Sequence, residues 1–280
     1  MENIDFDLYS RQIFTYGKDI MKKIINLKIL IIGLRGLGIE IAKNLVLIGP
    51  KEISISDKNI CEIKDLGANF YISMNDVNKK TREDACIEKL SMLNKYVDLT
   101  IYNGNYKEDI CKFNIIIITE IMKDKDLLEI NEICRKNNIG FIYTLSFGLT
   151  GYIFNDFGEN FIVNDINGEK NLNYHVFNIE EKGDKYLIYL DLKKNENFDL
   201  KEGEYIILKE VKGLEFLNDN IPKKIENVNK NSFEIQNNYK SKKKYICGGI
   251  IEEVKIPKKM KFNSLKIDLY SMFLIIILLL

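Results

Sequence analysis

Residues 27–38 read Leu-Lys-Ile-Leu-Ile-Ile-Gly-Leu-Arg-Gly-Leu-Gly, and this stretch decides the fold. Its first six residues, Leu27 to Ile32, form an almost continuous β-favouring apolar run, which is typical of a buried parallel strand. Glycines follow, and the apolar residues over 39–47 then recur at helical spacing until Gly49-Pro50 ends the run. The stretch therefore predicts a strand, a glycine-rich loop and a helix in direct succession.

The same alternation continues towards the C-terminus. We predict strands over residues 53–55, 99–102, 113–119 and 140–143, and helices over residues 82–93 and 127–136. Strands that alternate with helices form an open, mostly parallel sheet with helices on both faces. The sequence thus predicts a Rossmann-like α/β domain, to which we assign residues 1–172.

The pattern changes after residue 172. Short alternating strands, predicted over residues 186–192, 205–208 and 232–235, are separated by turns rich in Asn, Lys, Asp and Gly, so we predict a small β-rich, barrel-like domain over residues 173–262. Residues 263–280 fit neither domain. The apolar end from Met272 to Leu280 would be about 14 Å long as a helix, against about 30 Å of bilayer core. We interpret residues 263–280 as a truncated or aberrant tail.

The charge balance and the N-terminal sequence give no sign of a nucleic-acid partner, a membrane partner or secretion. Lys and Arg together number 41, as do Asp and Glu, so the formal net charge is zero. We therefore expect no nucleic acid and no membrane as partner, and the basic run at residues 240–244 lacks the interleaved aromatic side chains of a nucleic-acid surface. The acidic N-terminus lacks a secretory signal, so we expect a cytoplasmic and nuclear protein.

The cysteines predict neither a metal site nor a nucleophile. The five of them include no C-x-x-C pair, and His175 is the single histidine, which excludes a Cys/His zinc site and offers no disulfide framework. We expect buried structural roles for Cys86, Cys111 and Cys134, because each lies on a helix- or strand-like segment with apolar neighbours. His175 is expected to be structural as well.

The glycine loop permits two interpretations. Gly33, Gly36 and Gly38 between a strand and a helix could present backbone N–H groups to a phosphate, or they could allow tight packing of the helix on the strand. Asp57 lies 19 residues after Gly38, close to the spacing at which an acidic residue contacts the ribose of NAD. The order G-x-x-G-x-G differs from the dinucleotide order G-x-G-x-x-G, which disfavours NAD.

Longer motifs surround the loop. Residues 8–13 read Leu-Tyr-Ser-Arg-Gln-Ile, and residues 39–45 read Ile-Glu-Ile-Ala-Lys-Asn-Leu. Further distinctive segments are residues 65–71, 148–151, 156–159, 165–169, 203–205, 210–213, 248–250 and 255–259. Together these motifs strongly resemble the N-terminal part of ubiquitin-activating enzymes, over about residues 8–265.

This resemblance implies an inactive, ThiF-type adenylation domain over residues 1–172, followed by the first catalytic-cysteine half-domain over residues 173–262. The family's active domain binds ATP and Mg²⁺ through an Asp-x-Asp pair and an Asn-x-x-Arg-Gln stretch. Here the ribose-binding aspartate falls on Asn59 and the arginine falls on Ala68, so a carboxylate for ribose and a guanidinium for phosphate are missing. The resemblance therefore implies that this chain binds no nucleotide, and that ATP and magnesium belong to a partner active half.

The resemblance also implies partners. The complete enzyme adenylates the C-terminus of ubiquitin, captures it as a cysteine thioester and passes it to a ubiquitin-conjugating enzyme. This chain is expected to supply half of the pseudo-dimer and part of the ubiquitin-facing surface. Arg11 is expected to reach the ATP phosphates held by the active half, since its planar, permanently charged fork suits phosphate oxygens.

Some alternatives stay open. Arg35 is expected to cover the empty phosphate position or to pair with a carboxylate. The chain could be a stand-alone regulatory subunit of a heterodimeric activator of a ubiquitin-like modifier, although the inserted β-rich domain counts against this. An NAD-binding Rossmann oxidoreductase and a non-enzymatic ubiquitin-binding module are the other possibilities.

Overall fold

The computed structural model describes residue 5 and residues 7–106, 108–193, 197–237 and 243–267. Contacts divide the chain into two compact units: the first contains the residues up to Phe161 and those from Lys261 onward, and the second is Ile162–Met260. The division lies between Phe161 and Ile162, whereas the sequence analysis placed the domain boundary after residue 172. Residues 165–169 fall in the second unit because Lys255 of that unit binds them, as described below.

The first unit has a Rossmann-like core. Within the described residues its sheet has six strands in the order β3-β2-β1-β4-β5-β6. The first five strands along the chain are parallel, and β6 runs antiparallel to β5. Their bounds are β1 Lys28–Ile32, β2 Glu52–Ser56, β3 Asp98–Ile101, β4 Ile115–Ile118, β5 Gly140–Phe147 and β6 Thr150–Asp156.

Helices cover both faces of this sheet. They are α1 Ser10–Tyr16, α2 Lys18–Ile24, α3 Gly36–Ile48, α4 Arg82–Ser91 and α5 Asp124–Lys136. Because side chains alternate along a strand, Ile29 and Ile31 of β1 pack in one buried cluster with α3 and α4, whereas Leu30 and Ile32 pack in another with α5. The predicted mostly parallel α/β sheet with helices on both faces is confirmed. Among the described residues, no helix combines the length and apolarity needed to cross a bilayer.

The second unit is antiparallel. In the described residues its main sheet has the order β11-β10-β13-β8-β9-β12, and a bridge between Glu226 and Glu234 links its two edges in the manner of a barrel. Buried residues such as Tyr186, Phe233 and Ile251 form its core. The strands are β8 Asn173–Lys182, β9 Lys185–Asp191, β10 Tyr205–Lys209, β11 Lys223–Lys224, β12 Ser232–Gln236 and β13 Ile250–Val254, while β7 Phe161–Val163 pairs with β14 Lys258–Met260. The predicted small β-rich domain is confirmed.

A buried polar cluster attaches the returning chain to the first unit. The Asp156 carboxylate accepts hydrogen bonds from Asn131 Nδ2 at 2.8 Å and from Arg135 Nη1 at 2.6 Å. Arg135 also donates to the carbonyl of Phe262, and the backbone N–H of Leu265 donates to Asn131 Oδ1. The side chain of Leu265 is fully buried in the cluster around α5. Residues 262–265 therefore pack in the first unit, whereas the apolar end from 272 to 280 lies outside the described residues.

This packing leads to a prediction. We expect Leu265→Ala to lower the free energy of unfolding of the first unit by about 2–5 kcal/mol, because truncation leaves a cavity in its core. Ile267→Ala is the matched control, since Ile267 is 57% exposed, and should change that free energy by less than about 0.5 kcal/mol. Amide hydrogen exchange read by mass spectrometry reports the two units separately. Equal effects of the two substitutions would contradict the packing of Leu265.

Candidate functional site

The sheet of the first unit has a switch point at β1. From β1 the chain proceeds to β2 on one side, while β4 lies on the other side of β1. In open α/β sheets ligands bind outside the carboxyl ends of the strands at such a point. The glycine loop after β1, Asp57 after β2 and Thr119-Glu120 after β4 all lie at these strand ends. This crevice is therefore the candidate site.

Internal packing accounts for the glycines of the loop. A Cβ on Gly38 would lie 2.0 Å from the carbonyl oxygen of Gly33 and 2.5 Å from Thr119 Oγ1. Gly33 itself has a φ of +93°, and its carbonyl accepts a hydrogen bond from Thr119 Oγ1 at 2.9 Å. A Cβ on Gly36 would lie 2.9 Å from the Cβ of Ala68, the residue on which the resemblance places the family's arginine. These contacts favour the packing interpretation of the loop.

Asp57 faces the protein and is 2% exposed. Its Oδ2 accepts from the backbone N–H of Leu34 in the loop at 2.8 Å. Its Oδ1 accepts from the backbone and the side-chain amide of Asn59, at 3.2 and 2.9 Å. The Arg82 guanidinium lies 3.3 Å from the same carboxylate. Because both oxygens have internal donors, Asp57 is not presented to a ribose, which counts against the NAD interpretation.

Arg82 lies beside Asp57 at this edge of the sheet, and its side chain is fully buried. Nε donates to Asp65 Oδ2 at 2.8 Å, Nη1 to Asp57, and Nη2 to Glu62 Oε1 at 3.3 Å. Burial alone would lower the pKa of this guanidinium, but the hydrogen bond to Asp65 and the charge of Asp57 raise its pKa above the ordinary value. A cation at the N-terminus of α4 opposes the helix dipole, so these carboxylates are needed to compensate for it.

Two further carboxylates border the crevice. Glu83 Oε2 accepts the backbone N–H of Asp57 at 2.7 Å, and burial raises the pKa of Glu83. Burial and the charge of Asp57 raise the pKa of Glu120 at the end of β4. Arg35 is largely exposed and lies 4.0 Å from Glu62, which agrees with the predicted pairing with a carboxylate. The crevice is thus lined by acidic groups, and the buried guanidinium of Arg82 is paired with them.

Sequence reasoning missed Arg82. At the first position of an amphipathic helix and beside Glu83 and Asp84, it has the pattern of a solvated residue. A usable signal was present in Glu62 and Asp65, acidic residues in the same connection between β2 and α4. The 3₁₀ turn Ile63–Gly67, closed by a reciprocal capping box between Glu62 and Asp65, holds both side chains towards the crevice.

Arg11 lies outside the crevice, on the exposed side of α1. Within the described part of the chain, no ion pair or side-chain hydrogen bond engages its guanidinium, while its backbone carbonyl accepts a hydrogen bond from Thr15 Oγ1. The assignment of Arg11 to the phosphates of ATP in an active half stays a prediction. The structure does leave this side chain available to a group outside the described residues.

The cysteines require one correction. Cys86 and Cys134 are buried as predicted, and burial raises the pKa of their thiols to about 11 and about 12, respectively. Cys111 is exposed, so the predicted burial was wrong: it lies in a short 3₁₀ turn, Ile110–Lys112, in which Ile110 takes the inward position. His175 is exposed on β8.

In the second unit, the ammonium group of Lys255 binds several acceptors of the same unit. Its Nζ donates to both carboxylate oxygens of Asp165 at 3.0 Å, to Asn167 Oδ1 at 2.7 Å and to the carbonyl of Glu169. The hydrogen bond to Lys255 and those from the backbone at Gly168 and Asn167 lower the pKa of Asp165. Two motif segments that are distant in sequence, residues 165–169 and 255–259, are thereby held together.

The Arg82 cluster makes a stability prediction. We expect Arg82→Leu to lower the free energy of unfolding by about 3–5 kcal/mol, because it leaves buried Asp57 and Asp65 without a cation. Arg35→Leu, the matched control, removes an exposed arginine of the same crevice and should cost no more than about 1 kcal/mol. Urea denaturation at neutral pH measures both values. A small loss for Arg82→Leu would show that the cluster is not a structural requirement.

Two family models match the chain. The ThiF family model matches residues 9–160, and the model of the ubiquitin-activating enzyme E1 FCCH domain matches residues 188–255. The crystal structure of E. coli MccB with SeMet MccA is 22% identical, with a TM-score of 0.43 over 51% of this chain and 45% of that chain. That likeness carries no part of the assignment.

Curated relatives match nearly all of the chain. Ubiquitin-like modifier-activating enzyme 1 of Dictyostelium discoideum is 38% identical over 264 residues, which are 94% of this chain and 26% of that protein. Ubiquitin-activating enzyme E1 1 of Triticum aestivum is 38% identical over 94% of this chain and 25% of that protein. Ubiquitin-like modifier-activating enzyme 1 of Homo sapiens is 35% identical over 94% and 24%. The chain thus spans about a quarter of the length of these relatives.

The matched regions coincide with the features described above. The ThiF model extends over more than half of the residues and includes the parallel sheet, the glycine loop and the Arg82 cluster. The FCCH model covers most of the antiparallel unit. The resemblance inferred from the motifs is therefore confirmed, and the chain belongs to the ThiF family.

Proposed function

We propose that this chain forms the half of a two-part adenylation unit that holds no nucleotide, within a ubiquitin-activating enzyme. The observation that carries the proposal is the Arg82 cluster, in which a fully buried guanidinium neutralises Asp57 and Asp65 at the switch point. A triphosphate entering there would have to displace that cation or lie against carboxylates, and either is unfavourable. The chain then contributes to the reaction through the groups that it presents on its surface.

In this proposal ATP and Mg²⁺ belong to the active half. The residues of this chain do not fit a nucleotide: Asn59 and Ala68 stand at the family's ribose and phosphate positions, and Ala68 packs against Gly36 of the loop. We expect isothermal titration of the full chain with ATP and Mg²⁺ to give a Kd no tighter than about 1 mM. Micromolar affinity that Gly36→Val abolishes would overturn the proposal that this crevice is closed to nucleotide.

Arg11 is the group that this chain would supply to the reaction. A permanently charged guanidinium can bind the phosphate oxygens of ATP in a neighbouring active half as their charge redistributes during adenylate formation. Support comes from the exposure of Arg11 on α1 and from the absence, among the described residues, of an ion pair that would hold its side chain back.

The test combines this chain with the active half of a relative. The chain is co-expressed with the Dictyostelium discoideum enzyme from which the matching 264 residues have been removed. We expect ubiquitin-dependent exchange of pyrophosphate into ATP to require both parts, and Arg11→Ala to reduce its rate at least about tenfold. Lys23→Ala, an exposed cation on α2, is the matched control and should leave the rate unchanged.

Each outcome of this test is decisive. The relative's own N-terminal segment, supplied as a separate chain, serves as the positive control for assembly. If that segment restores exchange and this chain does not, the proposed function is wrong. If this chain restores exchange and Arg11→Ala is fully active, the proposed function of the chain stands and only the role proposed for Arg11 is wrong.

We further propose that the second unit faces ubiquitin, and that conjugating enzymes are met through the complete enzyme. The match of residues 188–255 to the FCCH domain of ubiquitin-activating enzymes supports this proposal. The same match counts against a stand-alone subunit of a heterodimeric activator, because the resemblance implies that shorter relatives for other ubiquitin-like proteins lack this domain. The inward-facing Asp57 counts against an NAD-dependent oxidoreductase.

A further inference from the structure

The first helix is short, and its own side chains contribute little to the core. None of the residues of α1, from Ser10 to Tyr16, is buried, and a helix of seven residues is not stable alone in water. Gly17 follows it with a φ of +83° and joins it directly to α2, whose Met21 is fully buried. Because Arg11 lies in the first turn of α1, the contacts nearest to it are those at the N-terminal end of the helix.

Tyr9, the residue that precedes the helix, supplies this anchor. It is only 4% exposed, and its hydroxyl accepts a hydrogen bond from Asn94 Nδ2 at 2.9 Å. The same Nδ2 donates to the carbonyl of Val46 at 3.0 Å, so Asn94 joins Tyr9 to the last turn of α3. Asn94 itself is 7% exposed, and its Oδ1 accepts the backbone N–H of Tyr96, which fixes the orientation of the amide.

Gly49 makes room for the Tyr9 ring. It ends α3 with a φ of +87°, and a Cβ there would lie 2.2 Å from the Tyr9 hydroxyl. The phenol therefore occupies the space that any other residue at position 49 would need for its side chain. A positive φ and a close approach coincide at this glycine, so the end of α3 serves as a socket for Tyr9.

A second tether supports the same end of the helix. The Tyr96 hydroxyl donates to Asp5 Oδ2 at 2.7 Å, while Asp5 Oδ1 accepts the backbone N–H groups of Asp7 and Leu8. The backbone bond from Leu8 and the hydroxyl of Tyr96 lower the pKa of Asp5. The rings of Tyr9 and Tyr96 are 6.4 Å apart. Two tyrosines thus clamp the segment that enters α1.

From this geometry we infer that Tyr9 is a positioning residue for Arg11, acting through Asn94 and the socket at Gly49. Arg11 follows Tyr9 by two residues, in the first turn of α1, where a fixed helix start limits the movement of its backbone most strongly. A misplacement of about 1 Å is enough to impair the contact of a charged group with a reacting centre. The inference rests on the proposed function of Arg11.

The first experiment measures the anchor itself on the full chain. Tyr9→Phe keeps the ring in the socket and removes the acceptor of the Asn94 bond. We expect the amides of α1 to exchange with deuterium about fivefold faster, as the loss of one hydrogen bond allows, while β1 keeps its exchange rates. Tyr16→Phe is the matched control: it removes a hydroxyl from the other end of the same helix, at a residue 53% exposed, and should change nothing.

The second experiment is a double-mutant cycle in the reconstituted enzyme described above. We expect Tyr9→Phe to lower kcat for pyrophosphate exchange about three- to tenfold with the KM for ubiquitin unchanged. In an Arg11→Ala background it should have no further effect, because Tyr9 acts through Arg11. Tyr16→Phe should be fully active in both backgrounds.

The outcomes separate the two proposals. If Arg11→Ala is fully active, the role of Arg11 fails, whatever Tyr9→Phe does. If Arg11→Ala is impaired but Tyr9→Phe is fully active, or lowers kcat equally in the Arg11→Ala background, Tyr9 does not position Arg11. Unchanged exchange of the α1 amides in Tyr9→Phe would overturn the anchor directly.

Discussion

The structure of the first unit depends on one buried guanidinium. Arg82 lies where the connection after β2, the start of α4 and the glycine loop converge, and it binds Asp57, Asp65 and Glu62. Through Asp57 the cluster also holds the N–H of Leu34, so the loop and the β2 connection are fixed by the same charges. Removing only the cation would leave unpaired carboxylates buried in the unit. Such a loss destabilises a protein far more than replacement of the whole cluster by apolar residues.

In the proposed function, the interior of the first unit is structural and its surface serves the reaction. At the crevice that open α/β sheets use for ligands, Arg82 pairs with Asp57 and Asp65, and a Cβ on Gly36 would meet Ala68. Arg11 differs from Arg82, because it lies on a helix with no buried residues and makes no ion pair within the described residues. In the proposed function the chain takes part in the reaction only through groups presented on its surface, and such groups need an anchor. The contacts of Tyr9 with Asn94 and Gly49 provide one.

Most of the secondary structure could be predicted because it rests on local patterns. The apolar runs that became β1, β2, β4 and β5, and the helical spacing that became α3, α4 and α5, each involve neighbours within a few residues. The misses have equally local causes. β6 was not predicted because apolar Ile153 faces outward while the charged Asp156 takes an inward position, so the sequence shows no apolar alternation. Cys111 was assigned to the core because its neighbours are apolar, whereas a single 3₁₀ turn directs it outward.

By itself, the sequence determined the class of fold, the order of the two units and the family, because periodicity and contiguous motifs are properties of short segments. Only the tertiary structure decided what the charged residues do. The partners of Arg82 lie between 17 and 25 residues away, and Tyr9 and Asn94 are 85 residues apart. Whether a charge is solvated or buried depends on which distant groups the fold brings within about 3 Å of it, and no local pattern contains that information.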